Sequence, residues 1–362
     1  MIENNQNNTK LLDAQLPKRS LKEKLYHLLR LTHQPTVRVY RGFGQAGHIT
    51  LYGQVFNVSP LGRKKYRKNV WTNAFALLRL FIVEPRANAK VRLNWNNETI
   101  EAVTEKDGFF KMEWHPVNAP APGWHDVEVE LLFEHKRSYT AKGQGHIFIP
   151  YETQYGFISD IDDTFLISHS SNLRKRLFVL FTENARSRQP FENVVLHYQL
   201  LAHSKTTKDA PNPFFYVSSS EWNLYDYIIE FCRDNELPQG VMLLSQLKRF
   251  KELFKTGQNK HKTKFFRAVR ILDAFPKHRF VLLGDDTQED PNIYLSIVEH
   301  FPKQIVCVYI RQVANQKKDF AVNALTKIES LGVPYFYFQN SKDAILHSVK
   351  IGLIDQSAIQ QV

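Results

Sequence analysis

The sequence predicts two domains: an N-terminal β-sandwich, then an α/β domain built on a parallel sheet. Three observations predict it. At 362 residues the chain exceeds what one compact core usually holds. Residues 36–150 read mostly as short alternating strands, whereas apolar strands and helical patterns take turns from residue 151 onward. Apolar content of 43% and aromatic content of 13% can fill two cores and exclude disordered and collagen-like classes.

Taken in order, Met1 to Lys10 is polar and Asn-rich, with no hydrophobic stretch of the secretory kind, and the first eighteen residues read as a tail. Leu21, Leu25, Leu28 and Leu29 then recur at helical spacing among Lys22, Lys24 and Arg30. Such a helix can lie on a membrane surface or dock on a neighbouring domain. Strands follow at Thr36–Tyr40, His48–Val55, Lys90–Trp95, Thr99–Thr104, Phe109–Trp114, Asp126–Phe133 and His146–Ile149, and Asp107-Gly108 reads as a hairpin turn between two of them. Trp71, Ala74, Phe75, Leu78, Phe81 and Ile82 recur at three and four, which predicts one inserted helix. Gly42-Phe43-Gly44-Gln45-Ala46-Gly47 copies the dinucleotide-binding pattern, but a strand follows it and the basic run Arg63 to Lys68 stands where an acidic ribose ligand belongs. It reads as a loop before a strand.

In the second half, strands are expected at Tyr155–Ser159, Phe214–Val217, Arg279–Leu283 and Ile305–Tyr309, and helices at 221–233, 263–275 and 292–300. Sheets of this kind bind ligands at the carboxyl ends of their strands. There, Phe157-Ile158-Ser159 runs into Asp160-Ile161-Asp162-Asp163-Thr164. Two carboxylates two residues apart are costly to bury unless a divalent cation or a shared proton offsets them; the plain alternative is an acidic surface turn. Phe214 to Val217 runs into Ser218-Ser219-Ser220, small donors suited to phosphoryl oxygens. Lys262 and Lys264 open a helix, and Phe280 to Leu283 runs into Gly284-Asp285-Asp286 with Asp290 beyond. In that order the fragments point to phosphoryl transfer.

These four fragments resemble the signature motifs of haloacid-dehalogenase superfamily phosphatases. More narrowly, residues 151–340 resemble the catalytic domain of the actin-patch type of phosphatidate phosphatase. The cues are Asp160 to Thr164, Asn184-Ala185-Arg186 with Pro190-Phe191, Ser218 to Ser220 with Trp222 to Tyr225, and Gly284-Asp285 with Asp290-Pro291. Tyr40 to Gly44 and Ala121 to His125 look like the β-rich domain that precedes it in bacterial relatives. The resemblance implies a haloacid-dehalogenase-like fold over 151–345. Within it the stretch between Asp160 and Ser218 is longer than a plain crossover needs, so 166–210 reads as a small helical cap. The patterning gives a β-sandwich over 36–150, a tail and helix over 1–35, and a C-terminal helix or tail over 346–362.

The resemblance also implies a covalent mechanism. Asp160 would attack phosphorus, and Asp162 would serve as acid and then as base. Asp160, the backbone carbonyl of Asp162, Asp285 and Asp290 would form the Mg²⁺ site, with Asp290 orienting Lys264 or a metal-bound water. Ser218, the Ser219 amide and Lys264 would hold the phosphoryl oxygens, and Thr164 would position the loop. His261-Lys262 and Thr263-Lys264 compete for the lysine's place. Lys264 is preferred because Ala268, Ile271, Leu272 and Phe275 then fall at offsets 4, 7, 8 and 11.

The cap carries Arg174-Lys175-Arg176, Arg186 and Arg188; Arg186 and Arg188 are expected to bind substrate, with a solvated basic face as the alternative. The net charge of +12 is concentrated in residues 1–150, where 22 Lys and Arg face 13 Asp and Glu. That excess suits a phosphorylated lipid and peripheral contact with an anionic membrane. A nucleic-acid module is the rival class, without a helix-turn-helix, zinc or RNA-recognition signature. Soluble phosphometabolites or nucleotides are alternative substrates. Cys232 and Cys307 cannot form a disulfide framework, and no apolar run is long enough to span a bilayer, so a reducing, cytoplasmic setting is expected.

Overall fold

The computed structural model describes residues 34–60, 79–133, 141–151, 155–161, 191–245, 260–313 and 318–359, with isolated positions between 26 and 32 and at Thr153. The basic run Arg63 to Lys68, nearly all of the inserted helix, Asp162, Thr164 and the cap residues up to 190 lie outside them.

The first domain contains β1 (Thr36–Val39), β2 (Gly42–Gln45), β3 (His48–Val58), β4 (Glu84–Pro85), β5 (Lys90–Trp95), β6 (Glu98–Val103), β7 (Phe109–Trp114), β8 (Gly123–Leu132) and β9 (Ala141–Ile149). They join in one hydrogen-bonded sheet of order β1-β3-β2-β9-β8-β5-β6, with β4 and β7 on β3. Alternation decides which face is buried. Val91, Leu93 and Trp95 of β5 point inward, as do Phe110, Met112 and Trp114 of β7. Trp95 and Trp114 meet edge to face at 5.7 Å although β5 and β7 are far apart in the pairing order. The sheet therefore folds back around a single core.

Two sequence expectations change here. The Asp107-Gly108 turn forms, with Gly108 at φ +76° and the Glu105 amide donating to the Phe109 carbonyl. It does not pair its flanking strands: β6 lies on β5 and β7 on β3. β7 carries Phe110 and Met112, almost fully buried, while β6 has no buried residue to match them. The glycine-rich segment is also not a loop. Gly42–Gln45 is β2, turning back so that Gln45 faces His48. A Cβ on Gly42 would stand 2.5 Å from the Thr50 carbonyl oxygen, and one on Gly44 2.4 Å from that of His48. Close strand approach accounts for these two glycines.

The second domain is a parallel sheet of order β12-β11-β10-β13-β14-β15. Its strands are β10 (Tyr155–Ser159), β11 (Phe214–Glu221), β12 (Gly240–Ser245), β13 (Arg279–Asp285), β14 (Ile305–Arg311) and β15 (Tyr335–Phe338). The helices are α1 (Val194–Ala202), α2 (Tyr225–Asp234), α3 (Lys260–Ala274), α4 (Asp290–His300), α5 (Lys318–Ser330), α6 (Ser341–Lys350) and α7 (Gln356–Ile359). Every residue of β10, β11 and β12 is buried, as continuous apolar strands covered by helices should be. The outer strands β12 and β15 were not anticipated from sequence. Within the segment read as a cap, α1 is a core helix: Val194, Tyr198 and Leu201 pack into the same cluster as the sheet.

The two domains share aromatic packing. Tyr40 stacks on Trp222 with ring centroids 4.1 Å apart, and the Tyr225 hydroxyl accepts from the Arg41 amide at 3.0 Å. Arg41 Nη1 donates to the Gly240 carbonyl at 2.9 Å. Phe43 of β2 packs against Phe215 and Phe275.

On the far side of the sheet from that interface, His197 of α1 is 1% exposed, with Nε2 3.0 Å from Ser348 Oγ. Burial, aided by Arg311 and His347, lowers its pKa to about 3. An unfolded chain takes up that proton near pH 6.5, so the unfolded state binds more protons below that pH and stability falls as pH drops. Between pH 7.5 and 5.5 the native chain should lose about 1.4 kcal/mol more unfolding free energy than His197→Gln. Urea titrations at both pH values read this directly; equal losses would contradict a neutral buried imidazole.

Candidate active site

The carboxyl edge of the parallel sheet gathers the charged residues. Asp160 follows β10 directly, is 1% exposed, and donates its amide to the Leu283 carbonyl at 2.8 Å, which locks it against β13. Behind it, Ser159 Oγ donates to the Asp160 carbonyl at 2.7 Å and meets the Tyr198 hydroxyl at 2.8 Å. Asp285 ends β13. Its carboxylate accepts from the Thr287 amide at 2.6 Å and from the Thr287 hydroxyl, a turn that fixes the side chain. Asp290 opens α4, where the helix N-terminus favours a carboxylate. Gly284 lets it in: a Cβ there would stand 2.8 Å from Asp290 Oδ2.

Lys264, in α3 and 2% exposed, reaches this group from the neighbouring helix. Its Nζ lies 2.7 Å from Asp160 Oδ1 and also donates to Asp290 Oδ1. Burial alone would lower its pKa, but Asp160 and Asp290 together raise it well above the ordinary lysine value. The ammonium stays charged. Asp160, Asp285 and Asp290 offer carboxylate oxygens that all lie within 4.8 Å of one another. The three buried carboxylates face the Lys264 ammonium, with the buried Arg311 guanidinium acting electrostatically on Asp285, and still outnumber these two cations. A divalent cation that prefers hard oxygen donors fits that set.

Ser218 and Ser219 stand beside this group at the end of β11, both buried. The β11–β12 register passes from Val217↔Leu243 to Glu221↔Ser245, so three residues lie where β12 has one. Ser218 to Ser220 therefore bulge from the ladder, and the Ser220 amide donates to Ser218 Oγ at 2.8 Å. Ser219 Oγ has no hydrogen-bond partner among the described residues.

The structure thus brings together Asp160, Lys264, Asp285 and Asp290 and sets Ser218 and Ser219 on the adjoining strand. Asp162, Thr164, Arg186 and Arg188 lie outside the described residues. Asp286, the second half of the acidic pair, serves elsewhere. Its carboxylate accepts from the Val313 amide at 2.7 Å and the Tyr337 hydroxyl at 2.7 Å, tying β13 to β14 and β15. Sequence reasoning missed Arg267, which donates to the Ser218 carbonyl, and Thr287, although Asp285-x-Thr is a recognisable turn pattern. No sequence signal singled out Arg267.

Replacing Lys264 by Met removes the buried ammonium that lies between Asp160 and Asp290. In metal-free protein that should cost about 3–5 kcal/mol of unfolding free energy, the usual penalty for breaking a buried pair from one side. Chemical denaturation of both proteins in chelator checks it; a difference below about 1 kcal/mol would mean the cluster is not desolvated.

Residues 155–312 match the family model described as phosphatidate phosphatase APP1, catalytic domain. Phosphatidate phosphatase APP1 of Saccharomyces cerevisiae is 31% identical over 167 residues, covering 45% of this chain and 27% of that protein. An uncharacterized protein of Schizosaccharomyces pombe is 21% identical over 261 residues, 71% of this chain and 41% of that one. The chain thus spans less than half the length of either relative. A bacterial immunoglobulin-like domain from the M. primoryensis ice-binding adhesin overlaps 33% of the chain at 12% identity, with a TM-score of 0.19 that carries no argument. Over residues 155–312 the chain is similar to the catalytic domain of phosphatidate phosphatase APP1.

Proposed function

We propose that this domain hydrolyses a phosphomonoester through an aspartyl-phosphate on Asp160, with Mg²⁺ as cofactor and phosphatidate or a related phospholipid as substrate. The observation that carries the reading is the position of Lys264 Nζ, held between Asp160 and Asp290 beside the third carboxylate, Asp285. A parallel sheet with this cluster at its carboxyl edge also supports the haloacid-dehalogenase-like fold.

In this mechanism an Asp160 carboxylate oxygen forms a bond to phosphorus as the bond to the leaving oxygen breaks. Asp162 gives its proton to that leaving oxygen, then takes one from the water that attacks the phosphorus of the acyl phosphate. Phosphate leaves and the Asp160 carboxylate is restored. Lys264 and Ser218, with the Ser219 amide, bind the phosphoryl oxygens as charge shifts among them. Mg²⁺ bound by Asp160, Asp285 and Asp290 would offset the repulsion between the nucleophile and an anionic substrate.

The lipid assignment draws on a surface groove as well as on the relative's name. Phe265 and Phe266 of α3 and Glu289, Asn292, Ile293 and Ser296 at α4 line a depression of about 500 Å³. Phe266 is 58% exposed, an unusual position for a large aromatic. Its lining residues Phe265 and Glu289 neighbour Lys264 and Asp290 in sequence. Peripheral contact with anionic lipid through the Arg63 to Lys68 run belongs to the same proposal. Among the described residues no helix is long and apolar enough to cross a membrane.

Asp160→Asn should abolish hydrolysis of phosphatidate and of a small soluble phosphomonoester in Mg²⁺ buffer while the chain stays folded by circular dichroism, because an amide is a poor nucleophile. Turnover at the native rate would refute the covalent route. Phe266→Asp should slow hydrolysis of phosphatidate in vesicles while sparing the soluble ester; a parallel loss of both would detach the groove from substrate binding. A native chain that prefers sugar phosphates or nucleotides to phosphatidate would replace the lipid by a soluble substrate.

A further inference from the structure

The bulge at Ser218 to Ser220 raises a physical question. Three residues leave the β11–β12 ladder just where an amide must be aimed at a phosphoryl oxygen. A bulge loosens backbone direction unless something outside the ladder holds it. Arg267 is that group. It lies three residues beyond Lys264 on α3 and is 9% exposed. Its Nη1 donates to the Ser218 carbonyl at 2.9 Å, and its Nη2 donates to Ser245 Oγ at 3.0 Å and Thr263 Oγ1 at 3.1 Å. One planar fork therefore ties the end of β11, the end of β12 and the first turn of α3 together.

The Ser218 carbonyl shares a peptide plane with the Ser219 amide. Among the described residues no peptide bond is cis, so this C=O and this N–H point in opposite directions. A guanidinium that grips the carbonyl consequently fixes the Ser219 N–H at the opposite edge of that peptide plane, pointing away from Arg267. The charge-assisted bond also polarises the peptide, which makes its N–H a stronger donor. Burial, with Arg270 nearby, lowers the Arg267 pKa only to about 10, so it keeps its charge at neutral pH.

We propose that Arg267 is the positioning residue of the phosphate-binding amide: by holding the Ser218 carbonyl it aims the Ser219 N–H at the phosphoryl group, without touching substrate itself. The assignment rests on the phosphatase reading of the site. Lysine cannot replace it, because one ammonium does not reproduce a fork spanning three acceptors.

The test uses the full-length chain with Mg²⁺ and a small soluble phosphomonoester. Arg267→Lys and Arg267→Ala should each lower kcat by about 10², the cost of mis-aiming one preorganised donor. Orthovanadate, which mimics the five-coordinate phosphorus, should bind more weakly by a similar factor, while the Mg²⁺ concentration for half-maximal activity stays within about twofold, since Arg267 touches none of the three carboxylates. Added guanidinium should restore part of the turnover of Arg267→Ala and none of that of Lys264→Ala. A kcat within about threefold of native, unchanged vanadate affinity alongside a loss of turnover, or absence of guanidinium rescue would each overturn the assignment. Should both arginine variants fail to fold, the Ser245→Ala, Thr263→Val pair removes two anchors while keeping the arginine itself. Native kcat and vanadate affinity in that double variant would overturn the clamp, and a fall in both would support it. A native chain inert towards every phosphomonoester, yet binding Mg²⁺, would refute the phosphatase reading itself and this assignment with it.

Discussion

Burial of three carboxylates around one lysine is the constraint on which the rest of the second domain depends. Asp160, Asp285 and Asp290 are each 1% exposed or less, and Lys264 is 2% exposed. Desolvating that many charges is costly, and only their mutual arrangement offsets it. Each is therefore held by more than one contact. Asp160 hangs from β13 through its amide, Asp285 is tied by the Thr287 turn, and Asp290 sits on a helix N-terminus reached past a glycine. Such redundancy is what a site needs when its own charges push it apart.

The parallel sheet supplies the geometry cheaply. Strands β10 and β13 are adjacent, with Ser159 opposite Leu283, so the residues that follow them emerge side by side. β11 lies on the other flank of β10 and delivers Ser218 and Ser219 to the same edge. Helices α3 and α4 then bring Lys264 and Asp290 in from above that edge. The first domain contributes to the same neighbourhood, since Trp222, stacked on Tyr40, comes immediately after β11.

Much of this was legible in the sequence for a physical reason. Buried parallel strands are continuous apolar runs, so β10 could be bounded to the residue, and the polar residues that end such runs mark the ligand edge. Lys264 could be chosen over Lys262 because the apolar helix face has a register, and the structure places Ala268, Ile271, Leu272 and Phe275 of that face in the core. What escaped was non-local. Whether β7 pairs with β6 or β3 depends on which surface needs cover, which a turn dipeptide does not encode. The division of labour between Asp285 and Asp286 depends on Tyr337, more than fifty residues away. Arg267 looks like one more cation on a basic helix until its acceptors on two other strands are seen.

The central claim is that Asp160 is the group that becomes phosphorylated. The most direct measurement is to acid-quench the native chain during turnover, reduce it with borohydride, and sequence its peptides by mass spectrometry. An acyl phosphate on Asp160 would be reduced to homoserine at position 160, and no such conversion should occur without substrate or at Asp285 and Asp290. Conversion at another carboxylate, or an unmodified Asp160 under conditions where phosphate is being released, would contradict the account.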